Sequence, residues 1–126
     1  MSDERWSDET TTMAEMKARL TAFNEARDWG QFHAPKDLAM CLSAEAGELL
    51  EPFLWKGPRD EIALGRVEEE LADVVICALN LASRLQIDLA KALEAKIAAN
   101  DARYPVELAR GRAVKYDALI EDGSRD

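Results

Sequence analysis

The sequence predicts an all-α protein, a four-helix, bundle-like fold, and three observations carry that expectation. Apolar residues recur every three to four positions, not every two. Prolines fall at the boundaries of these periodic stretches. The stretches themselves are rich in Ala, Leu, Glu and Lys, while aromatics make up only 6% of the chain, a composition that favours helix over strand. A chain of 126 residues is long enough for one domain that buries roughly two-thirds of its unfolded surface. The expectation is therefore a single domain over residues 1–126, with a core from about 11 to 117 and flexible tails at 1–10 and 118–126.

The first helix follows from the spacing Met13, Met16, Leu20, Phe23. It starts at Thr12 and runs to about Trp29, where Gly30 can supply a left-handed terminal residue. Pro35 suits the first turn of helix two, which Pro52 ends after Leu50. Gly57 and Pro58 then turn the chain, and Asp60 can cap a third helix that continues through Leu85, with Gly65 as an early kink. From Val74 to Ala82 only Asn80 is polar, so helix three should be central and the most buried. Asp88 can cap helix four, Leu89 to about Arg103, which Pro105 closes. Beyond Pro105 the periodicity is weak and the last six residues read as disordered. Short connections between helices two, three and four favour antiparallel neighbours. Trp6 stands alone in a polar tail; it packs on its own domain or crosses to a neighbouring subunit.

The net charge of -9 opposes nucleic acid and anionic membranes, and a polyanionic substrate would need a cation to enter. Cys41 and Cys77 fall inside apolar helical stretches, which suits reduced, buried thiols in a cytoplasmic protein rather than a disulfide frame. The longest apolar run, VVICALNLA from Val74, is about half a membrane span, and the N-terminus has no signal-peptide character.

Two helices carry acids where apolar residues belong. At 100° per residue, Glu45 lies on the stripe of Leu38, Leu42, Ala46 and Leu49, with Glu48 at its edge. Helix three repeats the anomaly with Glu70 and Asp73, beside the Leu71, Val74 and Ala78 face. If the helices pair antiparallel, the four carboxylates converge. Each unpaired, desolvated carboxylate costs several kcal/mol, against a net stability of roughly 5 to 15 kcal/mol for a domain. Protonation, basic partners or a cation can compensate. Basic residues are scarce on these faces, and shared protons suit two carboxyls better than four. A hard divalent ion, Mg²⁺ or else Mn²⁺, fits best. Acidic pairs on helices are more often a solvated face; here both pairs interrupt apolar stripes on helices expected to touch.

On helix four, Lys96 and Asn100 share the stripe of Leu89, Leu93 and Tyr104. They can reach a phosphate, or simply snorkel and cap. His33, the one histidine, sits with Trp29, Phe32 and Trp55 near the ends of helices one and two. Rings with a polar tip can hold a flat base, although a satisfied core histidine is the commoner case.

The pattern ExxE, 21 residues, then ExxD, in EAGE at Glu45–Glu48 and ELAD at Glu70–Asp73, resembles the all-α nucleoside triphosphate pyrophosphohydrolases, the MazG-like superfamily. The surrounding ARDWGQFHAPKDLA, EAGELLEPFLWK, EEELADVVI and NDARYPVELARGRAVKY look like its dCTP pyrophosphatase branch, over about residues 14 to 117. The resemblance implies the MazG-type fold, magnesium on Glu45, Glu48, Glu70 and Asp73, and a base pocket of Trp29, His33 and Trp55. It implies Lys96 and Asn100 on the phosphate side, with Arg103 and Tyr104 in the same segment, and a homo-oligomer, dimer or tetramer. The implied reaction converts a nucleoside triphosphate, dCTP or a modified dCTP, to monophosphate and pyrophosphate, with Glu48, Glu70 and Lys96 as the catalytic groups. Another nucleotide such as dUTP is the nearest alternative, and a non-catalytic helical interaction module the alternative from another class. A di-iron bundle requires two Glu-x-x-His segments, and the chain has one histidine.

Overall fold

The computed structural model describes residues 5–123, with side chains through Leu119. Every regular element among the described residues is helical: α1 Met13–Ala26, α2 Pro35–Leu50, α3 Leu64–Arg84, α4 Leu89–Arg103, α5 Val106–Ala109 and α6 Tyr116–Gly123. Short 3₁₀ turns cover Gly30–Phe32 and Glu51–Phe53. None of these helices is long and apolar enough to cross a membrane. The chain forms two compact units, dividing between Ile87 and Asp88.

In the first unit α3 packs against both α1 and α2. Its neighbours run antiparallel to it. On the α2 side, Glu51 pairs with Arg66 at 2.7 Å, whereas Glu45 meets Glu70 and Asp73, so residue numbers fall along one helix as they rise along the other. On the α1 side, Lys17 Nζ donates to the Ile87 carbonyl at 2.6 Å and Asn24 Nδ2 to Asn80 Oδ1 at 3.1 Å, which gives the same sense. Leu38, Pro52, Leu79 and Ala82 are buried there. Helix three is central, as its apolar run predicts, but it is not buried all round: Leu71, Val75 and Ile76 stay exposed, because α1 and α2 cover only two of its flanks within the unit.

The helix ends depart from the sequence reading in instructive ways. Helix α1 begins at a capping box, Thr12 with Glu15, but stops at Ala26, short of Trp29. The left-handed position falls on Asp28, φ 51°, a residue type that tolerates it, and Gly30 lies in the 3₁₀ turn instead. Asp60 does not cap α3; its carboxylate accepts from the Gly57 N–H at 2.7 Å and closes the preceding loop, and α3 starts at Leu64 after Ala63 without a side-chain cap. At the far end of α3, Gln86 takes φ 56° and Ile87 N–H bonds the Ala82 carbonyl at 2.8 Å, the six-to-one bond of a Schellman termination made without glycine.

Residues 7–11 are a pinned turn, not a loose tail. Thr11 N–H donates to the Ser7 carbonyl at 2.9 Å, Ser7 N–H to Thr11 Oγ1 at 3.0 Å, and the Ser7 and Thr10 hydroxyls bond at 2.7 Å. Residues 1–4 of the expected tail lie outside the described residues.

In the second unit Asp88 caps α4 through the Lys91 N–H at 3.1 Å, as predicted. The segment after Pro105, expected to be irregular, carries α5 and α6, which pack on each other and bury Leu119 completely. The expectation of disorder in the last six residues is corrected as far as Gly123, where α6 ends; residues 124–126 lie outside the description.

Candidate active site

Antiparallel pairing and helical repeat together build an acidic cluster. Carboxylate oxygens of Glu45 on α2 and of Glu70 and Asp73 on α3 all lie within 4.8 Å of one another. Glu48, one turn from Glu45, hydrogen-bonds to it and lies close enough to Glu70 to act on its charge. Two oxygens, Glu45 Oε2 and Glu70 Oε2, are buried and have no hydrogen-bond partner. A buried acceptor left unpaired carries its full desolvation cost.

The electrostatics follow from that crowding. The hydrogen bond that the protonated Glu45 carboxyl donates to Glu48 holds it above its ordinary 4.5, with desolvation and the charges of Glu48, Asp73 and Glu70 adding to it. Desolvation raises Glu70 first, then the charges of Glu48 and Asp73; Arg66 pulls the other way. Carboxylates in mutual repulsion, two of them with an orphan oxygen facing inward, form an oxygen-only donor set suited to a hard divalent cation. Cys77, one turn beyond Asp73, has its thiol pushed up by burial and then by Cys41, Glu45 and Asp73. Both cysteines are free thiols, but neither is fully buried as expected: Cys77 is half-buried and Cys41 is exposed.

The opposite flank of α3 is of another kind. Between α1 and α3 runs a groove of about 830 Å³, whose apolar wall includes Met16, Leu20, Phe23 and Ile76. This volume falls within the range of small-molecule sites, roughly 300–1,000 Å³. Trp29 stands at its end, edge-to-face with Phe23 at 5.6 Å. The Arg27 guanidinium lies 3.7 Å from the Phe23 ring centroid and its Nη1 bonds the Phe23 carbonyl at 3.0 Å. The left-handed turn at Asp28 returns Trp29 to this pair, so backbone and cation–π contact together fix the aromatic wall. His33 also lines the groove, and the bonded amides of Asn24 and Asn80 form its polar floor.

The residues singled out from sequence thus fall into three groups. Glu45, Glu48, Glu70 and Asp73 come together, and Trp29 and His33 share the groove. Trp55 does not join them within one chain: α2, 16 residues long and hence about 24 Å, separates the turn bearing Trp29 and His33 from the turn bearing Trp55. The Trp55 side chain is 99% exposed, on a backbone held at φ 65°. Lys96, Asn100, Arg103 and Tyr104 belong to the second unit. There Tyr104 meets Tyr116 edge-to-face at 6.5 Å and the Arg103 guanidinium lies 5.2 Å from the Tyr116 ring centroid, while Lys96 is exposed. Sequence reasoning did not connect Phe23, Asn24, Asn80 or Trp6 with the groove. The signal for Asn80 was its isolation in an apolar run; for Trp6 there was none beyond its being aromatic.

Comparison with known proteins adds three findings. Residues 40–119 match the MazG-like family. The chain is 40% identical over 118 residues to dCTP pyrophosphatase 1 of Bos taurus, covering 86% of this chain and 68% of that protein, and 39% identical over 118 residues to the Homo sapiens protein of the same name, with the same coverage. Among solved structures, a pyrophosphatase from Archaeoglobus fulgidus DSM 4304 superposes with a TM-score of 0.71 at 35% identity, covering 80% of this chain and 99% of that one.

Proposed function

The chain belongs to the MazG-like family and is a nucleoside triphosphate pyrophosphatase; from that premise we propose that it converts dCTP, or a modified dCTP, to the monophosphate and pyrophosphate with Mg²⁺ as its cation. The observation that carries this reading is the pair of orphan buried oxygens on Glu45 and Glu70, set on one flank of α3 while a groove lined by Phe23, Trp29 and His33 lies on the other.

In this reading Glu45, Glu48, Glu70 and Asp73 hold the cation, with Mn²⁺ an acceptable substitute because it shares the preference for oxygen ligands. When bound, the cation neutralises triphosphate charge and acidifies water. Glu48 and Asp73 are the exposed members of the quartet, and Glu48, outside the tight trio of Glu45, Glu70 and Asp73, is the group assigned to take a proton from the attacking water; Glu70 fixes the position of its neighbours. Trp29 and His33 hold the base, Asn100 and Lys96 contact phosphate, and Lys96 offsets charge as it builds there. Arg103 and Tyr104 support the same segment.

A homo-oligomer completes the site. Leu50, Leu54 and Trp55 are all exposed, and apolar side chains of this size at one end of a helical hairpin suit contact with a second copy. Trp55, held outward, is assigned to the pocket of that copy. Free thiols suit a reducing, cytoplasmic setting, and the charge of -9 disfavours nucleic acid as a partner.

The test is incubation with each dNTP and NTP and with 5-methyl-dCTP, with Mg²⁺, followed by product identification. The expected outcome is dCMP or 5-methyl-dCMP with pyrophosphate as the fastest reaction. Faster turnover of dUTP would overturn the base assignment, and release of orthophosphate would overturn the position of cleavage.

A further inference from the structure

Trp6 is the residue that the function described so far leaves unexplained. It is 51% exposed and lies upstream of the first helix, yet it lines the α1–α3 groove together with Phe23 and Trp29. An indole on a free tail would not hold one position, because ordering each backbone residue costs roughly 1–2 kcal/mol. Here the ordering is built in. The Ser7, Thr10 and Thr11 bonds close the turn that follows Trp6. The Thr12–Glu15 capping box then welds that turn to α1, with bonds of 3.0 and 3.1 Å. The hydroxyls of Ser7, Thr10, Thr11 and Thr12 and the Glu15 carboxylate thus position one exposed indole over a groove that already has an aromatic end wall.

We propose that Trp6 is a substrate-binding residue that stacks on the nucleobase from the side of the groove nearest the start of α1, and that the Ser7–Thr12 turn exists to hold it there. The proposal rests on the reading of the groove as the nucleobase pocket. The groove's walls are chemically matched to such a guest. Phe23 and Trp29 offer ring surfaces, while the Asn24–Asn80 amides and His33 offer polar atoms to a base edge. After Asn24 Nδ2 is spent on Asn80 Oδ1, the Asn24 oxygen and the Asn80 amide hydrogens remain without another bond among the described residues. A half-exposed ring is also what a reversible stacking partner requires, since a fully buried one has no face to offer.

A structural role for Trp6, as an apolar cover over Met16 and Leu20, makes different demands. Leucine would serve as a cover but cannot stack. Trp6→Leu should therefore raise KM about tenfold with kcat within about twofold, the size of one lost base–aromatic stack, and Trp6→Phe should restore most of the loss. In a Trp29→Phe/Trp55→Phe double variant, Trp6 is the sole tryptophan, and titration with dCMP should quench its fluorescence to saturation. Absence of quenching together with an unchanged KM in Trp6→Leu would overturn the proposal, as would a change of oligomeric state in Trp6→Leu without quenching. Trp29→Leu separates the two levels: if it raises KM while Trp6→Leu does not, the pocket stands without Trp6, and if neither raises KM, the groove is not the nucleobase pocket.

Discussion

The two flanks of α3 make opposite bargains with water. Toward α2 the helix turns Glu70 and Asp73 into a cluster where like charges lie within 4.8 Å and two oxygens are orphaned. Toward α1 it turns Ile76 and Leu79 into an open groove floored by a bonded amide pair. The first flank is costly without a ligand and the second merely unfilled. A helix with 3.6 residues per turn can present both because Glu70 and Ile76, six residues apart, lie about 120° from each other around the axis. The cluster is therefore expected to respond strongly to charge and ions, and the groove weakly to either but measurably to changes in ring surface.

The largest effect should come from neutralising the cluster. Glu45→Gln, Glu70→Gln and Asp73→Asn should each lower pyrophosphate release by more than the roughly 10–100-fold that loss of an outer-shell partner costs a metal site. The same changes at Glu45 and Glu70 should raise, not lower, the Tm of the metal-free protein, because they remove a repulsion that the wild type retains. Activity assays paired with thermal melts in EDTA check this. Variants that lose activity and stability together would mean that the carboxylates support the fold directly.

The next effect is a pH dependence whose sign is set by the raised carboxyls. Glu45 and Glu70 both sit above their ordinary 4.5, so the metal-free native chain retains protons that the unfolded chain has released. Stability of the metal-free protein is accordingly greatest below that value and falls as pH rises through the elevated range. Mg²⁺ favours the deprotonated forms, so the gain in Tm on adding it should be large at pH 8 and shrink toward pH 5. A gain independent of pH would mean that the ion binds elsewhere.

The cluster was legible in the sequence and the groove was not, for a physical reason. Glu45 and Glu70 break an apolar stripe, and a broken stripe can be counted from one helix alone. The groove depends on which flank of α3 meets α1, on the left-handed turn at Asp28, and on a hydroxyl-bonded segment that reads as a polar tail. None of these has a periodic signature. Helix positions α2 and α4 were read to within a residue because Pro35 and Asp88 mark their starts. The start of α3 was misread because Asp60 has an equally good use for its carboxylate, closing the loop onto Gly57. Trp29 and His33 were placed together correctly, but Trp55 was grouped with them by residue type, and a helix of about 24 Å intervenes.

The smallest effects belong to the groove and sharpen the contrast most. His33→Ala should raise KM severalfold and loosen base choice while leaving kcat nearly unchanged, the signature of lost uniform binding. Asn80→Leu should act in the same direction and also strand the Asn24 amide, which Asn24→Leu combined with it would relieve. The double variant should therefore regain the stability that the single one loses, while the KM defect persists. Both variants should keep the full pH-dependent response to Mg²⁺, since neither residue belongs to the carboxylate cluster. If Asn80→Leu instead abolished that response, the two flanks of α3 would be one coupled site, and the separation between charge chemistry on one side and base recognition on the other would not hold.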